Sequence, residues 1–237
     1  LENQDSWTMY PQNGDPAAMV RKSLFVVADG MGGHESGKVA SEIAIRVIRN
    51  EFLKGEKKLL SALLMESIRK ANAVIFERSH QENQVKRMGT TCTALGIRDG
   101  KATIAHVGDS RVYHIYGDTI KQLTEDHTQV AELVKQGILN VEDMENHPQR
   151  SILNRALGAG NDVDVEMINE IALHPGDRFV LCSDGLVKVK PDEIKSIVRE
   201  SFPIEACRKL VDLANKRGGD DNVTVIVIEI AETFDYP

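Results

Sequence analysis

Between Thr90 and Leu123 the chain places short strand-like runs only a few residues apart, separated by residues that turn. Thr90–Ile97, Ala102–Val107 and Arg111–Ile115 read as strands joined at Asp99-Gly100 and at Gly108-Asp109-Ser110, and Thr119–Leu123 follows Gly117-Asp118. Strands this close in sequence pair antiparallel, because a parallel return needs a crossover of about a dozen residues or more. Asp-Gly pairs supply the backbone conformations that tight hairpins require. The stretch therefore reads as an antiparallel meander. A sheet of this kind must bury at least one face against another layer.

Outside the meander the apolar period lengthens. Val39, Ala40, Ile43, Ala44, Val47 and Ile48 share one face at helical spacing, with Glu42, Arg46 and Arg49 opposite. Leu60, Leu63, Leu64, Ile68, Ala71 and Ile75 form the stripe of a second helix over Leu59–His80. Further helices are expected at Gln129–Gln136, Pro191–Glu200 and Pro203–Lys216, and further strands at Leu24–Ala28, Val163–Ile171, Arg178–Ser183 and Val223–Ile230. Residues 124–160 are more polar and irregular, and long excursions between strands are commonly functional. No repeat, low-complexity segment or linker divides the chain. Residues 1–237 read as one α+β domain, antiparallel sheets covered by helices.

Bulk properties exclude several functions. With 237 residues, 41 % of them apolar, a sizeable core can form. The net charge of −7 opposes a sequence-independent grip on nucleic acid. No Lys/Arg-rich stretch suits an anionic membrane surface, and no apolar run is long enough to insert into a bilayer. The three cysteines, Cys92, Cys182 and Cys207, are far apart and lack CxxC spacing. That argues against a disulfide framework and a zinc site, and fits the reducing cytoplasm.

Four aspartates are set at strand ends beside glycine or asparagine. Asp29 closes Leu24–Ala28 and precedes Gly30. Asp184 closes Phe179–Ser183 and precedes Gly185. Asp109 lies in Gly108-Asp109-Ser110, and Asp221 lies just before the last strand. Asp99-Gly100, Gly117-Asp118 and Gly176-Asp177 read as plain turns, and any one of the four could be a turn too. Asp29 and Asp184 are the exceptions, since each follows a fully apolar run. A glycine beside such a carboxylate lets the backbone approach whatever is bound. If the strand ends meet, the carboxylates repel unless a cation or proton compensates. Oxygen-only ligation suits Mg²⁺ or Mn²⁺.

A set of segments in fixed order resolves the ambiguity. Val27-Ala28-Asp29-Gly30-Met31-Gly32-Gly33-His34, Met88-Gly89-Thr90-Thr91, Val107-Gly108-Asp109-Ser110-Arg111, Cys182-Ser183-Asp184-Gly185-Leu186 and Gly219-Asp220-Asp221-Asn222-Val223-Thr224 resemble the successive motifs of bacterial PP2C-like (PPM) metal-dependent serine/threonine phosphatases. Asn3-Gln4-Asp5-Ser6 resembles the family's opening motif. Thr124-Glu125-Asp126-His127 and Arg155-Ala156-Leu157-Gly158 resemble the segments around its flap. The resemblance covers nearly the whole chain, and the ordered set is far more specific than any one piece.

The resemblance implies a four-layer α-β-β-α sandwich, two central antiparallel sheets flanked by helices, with two Mn²⁺ or Mg²⁺ ions at one edge. By position, Asp29 would bridge both ions, Asp184 and Asp221 would hold one, and the Gly30 carbonyl would help hold the other. Asp109, with Asp184, resembles the ligands of a third, weaker ion in bacterial members. Asp5 would lie beside the site, as a ligand through water or an outer group. The implied reaction is attack of a metal-activated water on phosphoserine or phosphothreonine, with Asp29 at its centre. His34 is a candidate general acid or water-orienting group. In animal relatives, however, the histidine follows Asp-Gly directly, whereas here Met31-Gly32-Gly33 intervene, so a structural role is an equal alternative.

The implied partners are phosphorylated proteins, a Ser/Thr kinase or its targets, met by a monomer. The excursion at 124–160, with His147, Arg150 and Arg155, is the candidate substrate flap. The family's phosphate-gripping arginine would fall immediately before Leu1, so an upstream extension of the natural chain is expected. Two alternatives stay open at the level of sequence: an impaired relative serving as a binding scaffold, and a phosphatase of small phosphate esters.

Overall fold

The apolar run at Leu24–Ala28 is buried on both faces, and this organises the molecule. Leu24, Val26 and Ala28 pack against helices, while Phe25 and Val27 pack against a second sheet. A strand covered on both sides has no reason to alternate polar and apolar residues. The computed structural model describes residues 2–11, 22–55, 57–81, 88–144 and 147–231, apart from the side chains of His34 and Gln81.

The elements run β1 (Asp5–Tyr10), β2 (Ser23–Met31), α1 (His34–Lys54), α2 (Leu60–Gln81), β3 (Gly89–Thr90), β4 (Cys92–Arg98), β5 (Lys101–Val107), β6 (Arg111–Tyr116), β7 (Thr119–Gln122), α3 (Gln129–Lys135), β8 (Glu166–Ala172), β9 (Arg178–Cys182), α4 (Pro191–Arg199), α5 (Pro203–Lys216) and β10 (Val225–Glu229). One sheet has the order β1-β2-β4-β5-β8, with β3 paired to β2. The other has the order β10-β9-β6-β7. Every described pairing is antiparallel.

Three apolar layers result. The helix layer buries Ile48 and Phe52 of α1 and Leu64, Ile68 and Ile75 of α2 against one face of the first sheet. Between the sheets lie Phe25, Leu95 and Ile104 from one side and Val112, Phe179 and Leu181 from the other. On the far side, Tyr113, Val180 and Cys182 meet Ile194 and Val198 of α4 and Leu210 of α5. Strand residues two apart thus enter the same layer, as the pleat requires. The α+β fold and the α-β-β-α layering expected from sequence are present.

The meander is corrected. β4–β5 is a hairpin of the first sheet and β6–β7 a hairpin of the second, so residues 108–110 carry the chain from one sheet to the other. Gly108 has φ 112, and a Cβ there would lie 2.6 Å from Thr91 Cβ, so no other residue fits this crossing. The expected strand at Thr90–Ile97 is split at Thr91. β1 was read only as a motif: Asp5–Tyr10 carries little apolar alternation, and pairing with β2 makes it a strand. Pro191 and Pro203 open α4 and α5, where a missing N–H costs nothing. Thr128 caps α3 by accepting from Ala131 N–H.

Candidate metal centre

Asp29 lies inside β2, which continues through it to Met31, and is not the strand end that the apolar run suggested. It sits opposite Asp5 in the β1–β2 register. Its backbone is held on both sides: Asp29 N–H donates to Thr91 Oγ1 at 2.9 Å, and its carbonyl accepts from Thr90 Oγ1 and Thr91 N–H, each at 2.8 Å. Asp184 opens a short 3₁₀ turn directly after β9. Asp221 lies in the loop before β10, and Asp109 in the crossing between the sheets.

The glycines beside Asp29 and Asp184 are needed for a reason other than ligand approach. A Cβ on Gly30 would lie 2.1 Å from the Gly37 carbonyl oxygen of α1. A Cβ on Gly185 would lie 2.1 Å from the Asn222 carbonyl oxygen, in the loop that carries Asp221. Each glycine lets two backbones touch, and the contact brings one carboxylate segment up to its neighbour. Asn222 adds a further tie by accepting from Gln4 N–H at 2.9 Å, which joins the first segment of the chain to the last loop.

The five carboxylates converge. Burial, then the charges of Asp5, Asp184, Asp109 and Asp221, push the Asp29 carboxyl far above the usual carboxylate range. Burial raises Asp5 and Asp184 as well, with Asp221 adding to both. Burial and Asp184 bring Asp109 up to about 7. Ser183 Oγ orients Asp5 by donating to its Oδ2 at 2.8 Å, and itself accepts from Thr224 N–H at 3.0 Å. Yet among the described residues Asp5 Oδ1 and Asp184 Oδ1 are buried with no hydrogen-bond partner. Buried carboxylate oxygens left unpaired cost free energy, and several together call for a compensating cation. Hard oxygen donors whose charges bear on one another in a buried setting fit Mg²⁺ or Mn²⁺. The residues therefore fit the divalent ions that the sequence motifs imply, and Asp5, Asp29, Asp184 and Asp221, with Asp109 at the side, are the groups able to hold them.

His34 begins α1, but its side chain lies outside the described residues. The thiols of Cys92 and Cys182 are pushed up to about 12 by burial, so neither offers a thiolate near neutral pH. Arg111 forms a two-pronged pair with Asp126, at 2.9 and 2.6 Å, and its charge reaches Asp109 and Asp184. Beside this pair opens a cleft of about 1060 Å³, walled by Val134, Val141 and Met144 of the 124–160 excursion and by Val187–Pro191 opposite. Arg155, a candidate flap contact, is bound to Asp164 at 3.0 Å. Asp177, read as a plain turn residue, is buried, accepts from His174 N–H and lies 3.2 Å from His114 Nε2.

Sequence reasoning passed over the hydroxyl groups. Thr90, Thr91 and Ser183 are buried and hold the aspartate backbones or side chains, and buried Ser110 Oγ is bonded to Thr91 Oγ1 at 2.8 Å. The only signal for them was their position next to glycine and aspartate in the motifs.

Comparison with known proteins agrees with this geometry. The family described as Protein phosphatase 2C matches residues 1–223. The serine/threonine phosphatase stp of Listeria innocua is 38 % identical over 216 residues, 88 % of this chain and 85 % of that protein. The serine/threonine protein phosphatase PstP of Mycobacterium tuberculosis is 35 % identical over 94 % of this chain and 43 % of its own. The crystal structure of the M. tuberculosis phosphatase PstP/Ppp superposes with a TM-score of 0.86 at 34 % identity, covering 98 % of this chain and 93 % of that one. The catalytic domain of PstP in complex with two manganese ions gives a TM-score of 0.81 at 32 % identity, covering 98 % and 93 %. The convergence of its buried carboxylates and the match along its length agree: this chain belongs to the protein phosphatase 2C family.

Proposed function

We propose that the chain is a metal-dependent protein phosphatase that hydrolyses phosphoserine and phosphothreonine, with residues 1–237 acting as one phosphatase domain and 124–160 as its flap. The observation that carries this reading is the set of buried carboxylates around Asp29, two of whose members present unpaired oxygens. Mn²⁺ or Mg²⁺ bound there supplies Lewis-acid polarisation of the phosphate and a water acidic enough to attack near neutral pH.

The chain's own part is placement. Thr90 and Thr91 hold the Asp29 backbone, and Ser183 turns Asp5 toward the centre. Preorganised groups of this kind add catalysis because they need not rearrange as charge develops. With both buried thiols protonated and no side-chain nucleophile required, direct attack by water is the consistent route. Arg111 is neutralised by Asp126, so it supports the site without gripping phosphate. The cleft beside the Arg111–Asp126 pair is large enough for polypeptide flanking the phosphorylated residue. The expected substrates are phosphoproteins made by a Ser/Thr kinase, or the kinase itself, met by a monomer in the cytoplasm. No helix among the described residues is long and apolar enough to cross a membrane.

The test is phosphate release from a phosphothreonine peptide with Mn²⁺, with Mg²⁺ and with EDTA. Turnover that requires either ion and is abolished by EDTA is expected. Metal binding without peptide turnover, or a preference for a nucleotide or sugar phosphate, would overturn the reading.

A further inference from the structure

His106, His127 and Glu166 bring three ligand-type atoms within 4.8 Å of one another behind the Asp109 turn. Their hydrogen bonds rule out a second metal site. Gly108 N–H points at His127 Nδ1 at 3.1 Å. A backbone amide only donates, so Nδ1 must carry the lone pair. The neutral ring then bears its proton on Nε2, which faces Glu166 Oε2 at 3.4 Å. That nitrogen has no lone pair left for an ion. Arg155 Nη1, also 3.4 Å from Nε2, cannot donate to it and is satisfied by Asp164. His106 is likewise engaged, with Thr93 Oγ1 at Nδ1 and the Glu125 carbonyl at Nε2.

What the cluster does hold is the turn. His127 N–H donates to the Gly108 carbonyl at 2.8 Å, while the His127 ring accepts from Gly108 N–H. One residue thus fixes the peptide groups on both sides of the Gly108 Cα. Gly108 needs such a clamp: its φ of 112 lies where glycine alone is comfortable, and glycine by itself holds no one conformation. On the other side of Asp109, Ser110 Oγ is bonded to Thr91 Oγ1 at 2.8 Å. No other side chain is hydrogen-bonded to the Asp109 carboxylate among the described residues, so its direction follows from the backbone on either side.

We propose that His127, as the Nε2–H tautomer, is a positioning residue that aims Asp109 into the metal centre by clamping Gly108. This rests on the reading of Asp109 as a ligand of the weaker ion. Two substitutions separate positioning from mere stability. Asparagine can place its Oδ1 where Nδ1 accepts from Gly108, whereas glutamine carries its amide at the position of Nε2 and leaves Gly108 N–H unmet.

The experiment has two arms on the whole chain. The first is ¹⁵N-histidine NMR of the metal-free protein. It should show His127 protonated on Nε2, with Nδ1 an acceptor; a ring protonated on Nδ1 would overturn the clamp. The second is calorimetric titration with Mn²⁺ of wild type, Asp109→Ala, His127→Asn and His127→Gln. The weakest binding step should be lost in Asp109→Ala, be weakened at least about tenfold in His127→Gln and lie within about threefold of wild type in His127→Asn. Equal effects of the two His127 substitutions, or weakening of every step together, would reduce His127 to a structural residue. An Asp109→Ala titration identical to wild type would instead remove Asp109 as a ligand, while the NMR arm still decides the clamp. Should His127→Gln fail to fold, the wild-type tautomer and the His127→Asn titration still decide.

Discussion

At the scale of single residues, the site is a balance between buried negative charge and what compensates it. Asp29 carries the largest burden, buried and facing four other carboxylates. Asp29→Asn should therefore abolish metal-dependent turnover and yet, in EDTA near neutral pH, raise the free energy of unfolding by about 1–3 kcal/mol, because it removes a carboxyl that must take up a proton to be buried here and keeps its shape. Phosphate release together with urea unfolding in EDTA checks both halves, and a large loss of stability in EDTA would contradict the charge argument. Ser183→Ala removes the hydroxyl that donates to Asp5 Oδ2 and leaves Thr224 N–H without its acceptor. It should weaken Mn²⁺ binding and cost about 1–3 kcal/mol of stability, the usual consequence of a stranded buried polar group. Calorimetry and unfolding of the same variant measure the two effects.

At the scale of elements, contacts between backbones place the carboxylates. β2 and α1 touch at Gly30 and Gly37, and the turn after β9 touches the Asp221 loop at Gly185. Gly30→Ala drives a Cβ into a main-chain carbonyl that cannot rotate away, so β2 and α1 must separate. Its expected signature is lost metal binding together with a destabilisation of more than about 2 kcal/mol, larger than overpacking at a tolerant site produces. The layer between the sheets makes a different prediction. Phe179 is fully buried there and stacks on His114 with ring centroids 4.4 Å apart. Phe179→Ala should cost about 3–5 kcal/mol in chemical denaturation, and its Mn²⁺ affinity while folded should stay close to wild type, since the ring belongs to the apolar layer of Phe25, Leu95, Ile104 and Leu181 between the sheets.

At the scale of the whole molecule, stability should depend on pH and metal together. The folded-state values of Asp29, Asp109 and Asp184 lie above those of free aspartate, so the folded metal-free chain holds protons that the unfolded chain has released. Such groups favour the folded state at low pH, and that advantage is lost as pH rises through their folded values. Asp109 titrates at about 7; His106, held near 4 by burial, is neutral in the folded chain while the unfolded ring still takes up a proton near pH 6, so it opposes this trend only at the acid end of the window, against several carboxylates. In EDTA the Tm should fall between about pH 6 and 8, and the rise in Tm on adding Mn²⁺ should be larger at pH 8 than at pH 6. A metal-induced shift independent of pH would mean that the carboxylates do not share the ions.

Much of this molecule was determined by its sequence alone. The stripes of α1 and α2, the prolines opening α4 and α5 and the unbroken apolar run of β2 each express a local rule, because burial on one face or two dictates period. The ordered motif segments likewise marked Asp29, Asp109, Asp184 and Asp221 as a group. Other features were decided only by tertiary structure. Asp5–Tyr10 became a strand because β2 offered it an edge. Gly108–Ser110 became a crossing because Val112 and Leu95 belong to sheets that pack face to face. Gly30 and Gly185 serve neighbouring backbone, and His127 shows its clamp only where Gly108 comes within reach. These depend on which distant segments meet, and a residue's spacing along the chain carries no record of what lies across from it in space.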